Sequence, residues 1–165
     1  LLYEKALEFA NPDKNENVFD LYCGTGTIGI IASSKAAKVV GVELNADAVK
    51  DARENAALNK VQNIEFICDD AGEFITRLAF EKIHLDAVIM DPPRAGSTVQ
   101  FMKSVIQLAP DKVVYISCNP ETLARDLNYF TKNGYKATKI TPVDMFPGTG
   151  HVESVVCLTR QSDVI

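Results

Sequence analysis

Short β-branched runs alternate with longer amphipathic segments along almost the whole chain, and no other feature restricts its possible folds so severely. Val18 to Cys23 is an apolar strand closed by Gly24-Thr25-Gly26, and Thr27 to Ser34 reads as a short helix. Val39 to Leu44 is a second strand, followed by Ala46 to Asn59 with helical periodicity rich in Ala, Glu and Lys. Ile64 to Cys68 is a third strand, and a helix follows from about Ala71 to Ala79. Leu85 to Met90 is a fourth, ended by Asp91-Pro92-Pro93 because proline has no N–H to give a ladder. Ser97 to Leu108 is a helix, Lys112 to Ser117 a fifth strand, and Asn119 to Lys132 the next helix, ending at Asn133-Gly134. Then the alternation stops. Tyr135 to Val143 and Val152 to Thr159 are two strands with only a Pro/Gly-rich loop between them, so they pair as a hairpin.

This pattern predicts an α/β fold: a doubly wound, mostly parallel, seven-stranded sheet with a C-terminal antiparallel hairpin, of the Rossmann-like kind. A chain of 165 residues suits one domain spanning 1–165 and buries enough surface to need no staples. It opens on Leu1-Leu2-Tyr3 without an initiator Met and is expected to be a piece of a longer protein. No apolar run approaches the roughly 20 residues that cross a bilayer, and no secretory signal is present. Cys23, Cys68, Cys118 and Cys157 are scattered, without a Cys-x-x-Cys pair or clustered His. That spacing argues against a metal site or a disulfide framework and fits a reducing cytoplasm.

In sheets of this kind the ligand lies across the carboxyl ends of the strands, where strand order reverses. Gly24-Thr25-Gly26-Thr27-Ile28-Gly29 matches G-x-G-x-x-G between a strand and a helix, and Glu43 follows about 20 residues on, placed to accept both ribose hydroxyls. By itself the motif suits a dinucleotide, S-adenosyl-L-methionine or a plain tight turn. Charge separates them. Asp20, Glu43, Asp69-Asp70 and Asp91 close the first four strands, and no basic residue lies in the Gly-rich loop. Such a rim repels a pyrophosphate and attracts the ammonium and sulfonium of S-adenosyl-L-methionine. Asp20, Gly24, Glu43, Asp70 and Asp91 are therefore candidate cofactor contacts, with Asp70 assigned to the adenine amino group. The competing explanation is that acids after strands are helix N-caps.

Ile116-Ser117-Cys118-Asn119-Pro120-Glu121-Thr122 places Cys118 directly before a helix, with Asn119 as N-cap and Pro120 as a favoured first residue. Free N–H groups and the helix dipole stabilise a thiolate at such a position, which favours reactivity over a buried structural role. The structural role is the expected one for Cys23, Cys68 and Cys157.

Three segments together carry a resemblance: Asp91-Pro92-Pro93-Arg94-Ala95-Gly96, Val113 to Thr122, and Asp144-Met145-Phe146-Pro147-Gly148-Thr149-Gly150-His151-Val152-Glu153. In order and spacing they resemble the signatures of RNA (uracil-5-)-methyltransferases, which make 5-methyluridine in ribosomal and transfer RNA. The resemblance extends over essentially the whole chain. Gly148 departs from it, standing where the family usually carries His, Gln or Tyr. The resemblance implies that Cys118 is the nucleophile adding to carbon 6 of uracil and that Glu153 is the base removing the carbon-5 proton. It implies that Asp91 lies between cofactor and substrate, and that Tyr22, Thr27 and Glu43 contact the cofactor. On spacing alone, Glu153 reads equally well as an exposed acid opening the last strand. His151 is assigned to capping the hairpin loop, and His84 to a structural role.

Seventeen basic against 22 acidic residues leave a formal charge of -5, which counts against this chain gripping a phosphate backbone alone. The resemblance implies that RNA, ribosomal or transfer, is held mainly by upstream regions, often an OB-like module. An upstream cofactor-contacting Gln of the family is likewise absent here. Three other functions compete. Amino methyltransferases of nucleic acid or protein share the fold and a Pro-Pro motif, but they follow it with an aromatic platform where this chain has Arg94. An NAD-dependent oxidoreductase conflicts with the acidic crevice. A non-catalytic scaffold needs neither Cys118 nor Glu153.

Overall fold

The computed structural model describes residues 1–145 and 147–161; Phe146 of the third motif and residues 162–165 lie outside the described part. Seven strands form one sheet: β1 (Asn17–Leu21), β2 (Lys38–Glu43), β3 (Ile64–Cys68), β4 (Ala87–Met90), β5 (Lys112–Ser117), β6 (Tyr135–Val143) and β7 (Glu153–Arg160). Their order is β3-β2-β1-β4-β5-β7-β6. Strands β1 to β5 pair in parallel, and β7 runs antiparallel between β5 and β6. The expected doubly wound sheet with its terminal hairpin is the observed one, with β7 inserted inside the sheet and β6 at its edge.

The helices are α1 (Leu2–Ala10), α2 (Thr27–Ala32), α3 (Ala46–Leu58), α4 (Ala71–Glu81), α5 (Val99–Leu108) and α6 (Pro120–Lys132). Side chains cap four of them: Asn45 Oδ1 accepts from the Asp47 and Ala48 amides, Asp70 from Glu73, Thr98 from Phe101 and Asn119 from Glu121. Each such cap contributes about 1 kcal/mol and determines where the chain turns from loop into helix. The sheet separates two cores. Val88 and Met90 of β4 face a cluster shared with α4, α5 and α6, while Ala87 and Ile89 face one shared with α1 and α2. This alternation buries β4 on both sides, which is why it reads as an unbroken apolar run.

Helix α1 has no counterpart in the sequence reading. Nine residues make a marginal helix in isolation. Packing stabilises it here: Ala6, Phe9 and Ala10 are buried, and Lys112 Nζ donates to the carbonyls of Ala10 and Asn11 at 3.0 and 3.3 Å, closing the helix C-terminus. Those contacts join segments about 100 residues apart and leave no local trace in the sequence.

Candidate active site

Strand order reverses between β1 and β4, and the chain forms its crevice there. Tyr22 leaves β1 in the left-handed region (φ 68°), an uncommon conformation for a tyrosine, which turns the chain out of the sheet. Its ring packs against Phe101 with centroids 5.7 Å apart. Gly26 follows with φ 82°, and a Cβ there would meet the Phe66 ring at 2.6 Å, so both conformation and space demand glycine.

A cavity of about 410 Å³ opens at this point, lined by Tyr22, Val42, Glu43, Leu44, Asp70, Ala71, Asp91 and Pro93. It combines three carboxylates with apolar walls, and among the described residues no basic side chain lines it. Glu43 ends β2 and is held in place from two directions, its Oε2 accepting the Gly24 amide at 3.1 Å and Oε1 the Asn45 amide at 2.8 Å. Burial and, secondarily, the Asp70 charge push the Tyr22 hydroxyl up to about 12, so it stays a neutral donor. Asp70 both caps α4 and lines the cavity, so the capping and ligand-facing explanations hold together at this residue. Asp69, by contrast, is paired with Arg77 on the surface.

Asp20 does not line this cavity, which corrects its assignment as a direct cofactor contact. It lies within β1, is 1% exposed, and its Oδ2 accepts the Gly29 amide at 2.8 Å. It braces the Gly-rich loop from behind. Thr27, the first residue of α2, is exposed at the edge of that loop and outside the cavity lining; Gly24 contributes its amide to Glu43.

The catalytic candidates meet at the same end of the sheet. In the antiparallel ladder of β5 and β7, Ile116 pairs with Val155 and Ser117 with Ser154. Cys118 directly follows β5 and Glu153 opens β7, so both lie at this end of the ladder. Both are partly buried. Asp91 stands at the end of β4, the next strand across, and is close enough to Glu153 for the two charges to interact. Burial first, and the Glu153 carboxylate second, push Asp91 up to about 6. Cys118 immediately precedes the Asn119 cap, and Ser117 Oγ donates to the Asn119 carbonyl at 3.0 Å. The sheet topology thus places Cys118, Glu153 and Asp91 at the end of the sheet where the cofactor-sized cavity opens.

The family model described as tRNA (Uracil-5-)-methyltransferase matches residues 2–161. The chain belongs to that family. An uncharacterised RNA methyltransferase of Clostridium acetobutylicum is 50% identical over 160 residues, covering 97% of this chain and 34% of its own length. The tRNA (uracil-54, C5)-methyltransferase of Pyrococcus abyssi, solved in complex with S-adenosyl-L-homocysteine, superimposes with TM-score 0.76 at 33% identity. That match covers 94% of this chain and 37% of the archaeal one. An rRNA methylase of Streptococcus thermophilus shares the fold alone, with TM-score 0.76 at 14% identity over 96% of this chain and 95% of its own. The chain spans about a third of the length of the curated relatives it matches.

Set within this family, several side chains acquire a place that no motif indicated. Leu44 and Ala71 wall the cavity, and Tyr3 of α1 comes within electrostatic reach of Asp91, Asp20 and Glu153. Burial raises the Tyr3 hydroxyl above its ordinary value, and the charges of Asp91, Asp20 and Glu153 add to the effect. Periodicity could have exposed Tyr3 only if α1 itself had been recognised. Two further assignments change or stand. Cys68 is exposed rather than buried, because β3 is an edge strand. Cys157 is buried, with Sγ 3.8 Å from the Phe9 carbonyl, and Cys23 is half-buried, its thiol pushed up by burial and by Asp20 and Glu43. His84 is exposed and pairs with Asp86 Oδ1 at 2.9 Å; the His151 amide donates to Thr149 Oγ1 within the loop.

Asp20 also yields a pH dependence. Burial pushes its carboxyl up to about 7, against the opposing Gly29 amide. Between the ordinary carboxylate range and that value the folded state holds a proton the unfolded state has released. Stability from this group is therefore full at low pH and is lost as pH rises through about 4 to 7, on the order of 4 kcal/mol in all. Asp20→Asn removes this slope. Urea denaturation at pH 5 and 8 checks it: the wild type loses stability between the two and the variant loses markedly less. Parallel pH curves would exclude the assignment.

Proposed function

We propose that this chain is the catalytic domain of an enzyme that transfers a methyl group from S-adenosyl-L-methionine to carbon 5 of a uridine in RNA through a covalent cysteine adduct. The observation that supports the reading is that Cys118, just after β5, and Glu153, at the start of β7, lie at the same end of the sheet as Asp91, which is near enough to Glu153 for their charges to interact and lines the acidic cavity. The cavity's donor set fits the cofactor. The Glu43 carboxylate suits a ribose diol, Asp70 an adenine amino group, and Val42, Leu44, Ala71 and Pro93 a purine face. When bound there, the cofactor supplies an electrophilic methyl on a positively charged sulfur, which the carboxylates stabilise.

The chain's own residues do the rest. Carbon 5 of uracil is a weak nucleophile, so the Cys118 thiolate first forms a bond to carbon 6, and the electron pair displaced from the ring double bond makes carbon 5 an enolate carbon. With Asp91 pushed up to about 6, roughly a tenth of it is protonated near pH 7, and that form donates a hydrogen bond to the developing enolate oxygen. After carbon 5 has taken up the methyl, Glu153 removes the proton from that carbon, the double bond reforms and the Cys118 sulfur leaves as thiolate. The RNA is gripped mainly by other parts of the protein, in keeping with the net charge of -5, and the enzyme works in the cytoplasm.

The test is to incubate the full-length protein with S-adenosyl-L-methionine and RNA carrying 5-fluorouridine. Fluorine cannot leave carbon 5 as a proton does, so a methylated protein–RNA adduct accumulates and mass spectrometry of its peptides assigns it to Cys118. Methylation of unmodified RNA without any such adduct under these conditions would overturn the mechanism. The cofactor assignment has its own check. Calorimetry of residues 1–165 shows binding of S-adenosyl-L-methionine and none of NAD, because a pyrophosphate meets Glu43, Asp70 and Asp91 without a compensating cation. Binding of NAD alone would refute it.

A further inference from the structure

The loop after β4 and the helix after β5 carry residues that must cooperate, and five hydrogen bonds to four backbone groups of the loop tie the two together. Asn119 Nδ2 and Thr122 Oγ1 donate to the Arg94 carbonyl at 3.3 and 3.2 Å. Arg125 Nη2 donates to the carbonyls of Ala95 and Ser97 at 3.0 and 3.1 Å. Asp126 Oδ2 accepts the Ser97 amide at 2.7 Å and the Tyr115 hydroxyl, from β5 itself, at 2.7 Å. Arg125 Nε closes the set by donating to Asp126 Oδ1 at 2.8 Å. The approach is so close that a Cβ at Gly96 would meet Arg125 Nη2 and Asp126 Oδ2, both at 2.6 Å. Asp126 is fully buried on a helix whose other face is solvated, and none of these α6 side chains lines the cofactor-sized cavity. A buried carboxylate is costly unless its oxygens are satisfied, and here every partner belongs to the loop, to β5 or to Arg125.

We infer that Asp126, with Arg125, is a positioning residue of the methyl-transfer site: it locks the Asp91–Ser97 loop onto the helix start that presents Cys118, and so sets the spacing between thiolate and Asp91. The inference rests on the cysteine chemistry proposed above. Its physical basis is that addition to carbon 6 requires the thiolate and the groups facing the pyrimidine to be held together, and a misplacement of about 1 Å can cost a hundredfold in rate. Asp126→Asn offers a single carbonyl oxygen and turns an N–H₂ group toward donors, so the loop loses its anchor. Arg125→Lys keeps a positive charge beside Asp126 but cannot span the carbonyls of Ala95 and Ser97 together.

The experiment measures three quantities on the full-length protein: the single-turnover rate of adduct formation with 5-fluorouridine RNA, the Kd for S-adenosyl-L-methionine, and hydrogen exchange at residues 93–98. With Asp126→Asn the adduct rate falls on the order of tenfold to a hundredfold, the Kd moves less than about twofold, and exchange in the loop rises. Arg125→Lys shows the same split, smaller in size, and serves as the test if Asp126→Asn does not fold. A folded variant whose adduct rate stays within about twofold of wild type overturns the inference, as does a Kd that weakens in step with the rate. Failure of the wild type to form any adduct refutes the cysteine chemistry instead. In that case the exchange data alone decide whether Asp126 anchors the loop.

Discussion

Cys118→Ala abolishes the adduct with 5-fluorouridine RNA and lowers methylation of unmodified RNA by at least ~10⁴-fold, while the affinity for S-adenosyl-L-methionine stays within about twofold. The size follows from the chemistry. Without sulfur at carbon 6, carbon 5 stays part of a conjugated ring that does not attack a methyl group, and the other three cysteines are poor substitutes: Cys157 is buried beneath α1, Cys68 is on the far edge strand, and the half-buried Cys23 thiol is pushed up by burial and by Asp20 and Glu43. The invariant affinity follows from geometry, because residue 118 is absent from the lining of the cavity that fits the cofactor. Cys118→Ala itself is tolerated by the fold, since the residue is only partly buried at a loop–helix junction whose cap is Asn119. A variant that still captures fluorinated RNA covalently would move the nucleophile elsewhere.

Glu153→Gln produces the opposite signature. The adduct forms and the methyl group is transferred, but the carbon-5 proton stays, so the methylated enzyme–RNA species accumulates with natural uridine and turnover falls by about 10²- to 10⁴-fold. The substitution preserves shape and removes the basic lone pair, and it also removes the charge that helps raise Asp91. The carboxyl of Asp91 therefore titrates at lower pH in the variant, and the pH dependence of its adduct-forming step shifts to the acid side. Denaturing gel electrophoresis of quenched reactions separates the adduct from free RNA. Wild-type rates of product release, with no accumulated species, would take the proton-abstracting role away from Glu153.

The layers of the fold were legible because each strand of β1 to β5 carries its burial in its own residues. β3, β5 and β6 have the bounds that hydrophobic patterning assigned, and the sheet order follows from the handedness and connectivity of βα units. The N-caps Asn45, Asp70, Thr98 and Asn119 are local devices, so helix starts came within a residue or two. Side-chain direction at the end of β1 was not legible. Asp20 was read as a rim carboxylate because it is the acid nearest the end of the first strand, but the pleat turns it to the buried side, where the Gly29 amide meets it. Tyr22, two residues on, faces the cavity by adopting a left-handed conformation that residue type does not forecast.

The sequence alone, through local pattern, determined the fold class and the acidic character of the crevice, and its three separated motifs carry the resemblance that implies a cysteine and a distant glutamate in the candidate chemistry. Only the tertiary structure decided which carboxylates face the cavity, that Cys118 and Glu153 lie at the same end of the β5–β7 ladder, and that the buried Asp126 accepts the Ser97 amide of the loop behind Asp91. The reason is physical. Periodicity and capping are encoded within a few residues of one another, whereas the orientation of a side chain and its distance from a partner 30 or more residues away depend on sheet register and on packing that exist only once the chain has folded.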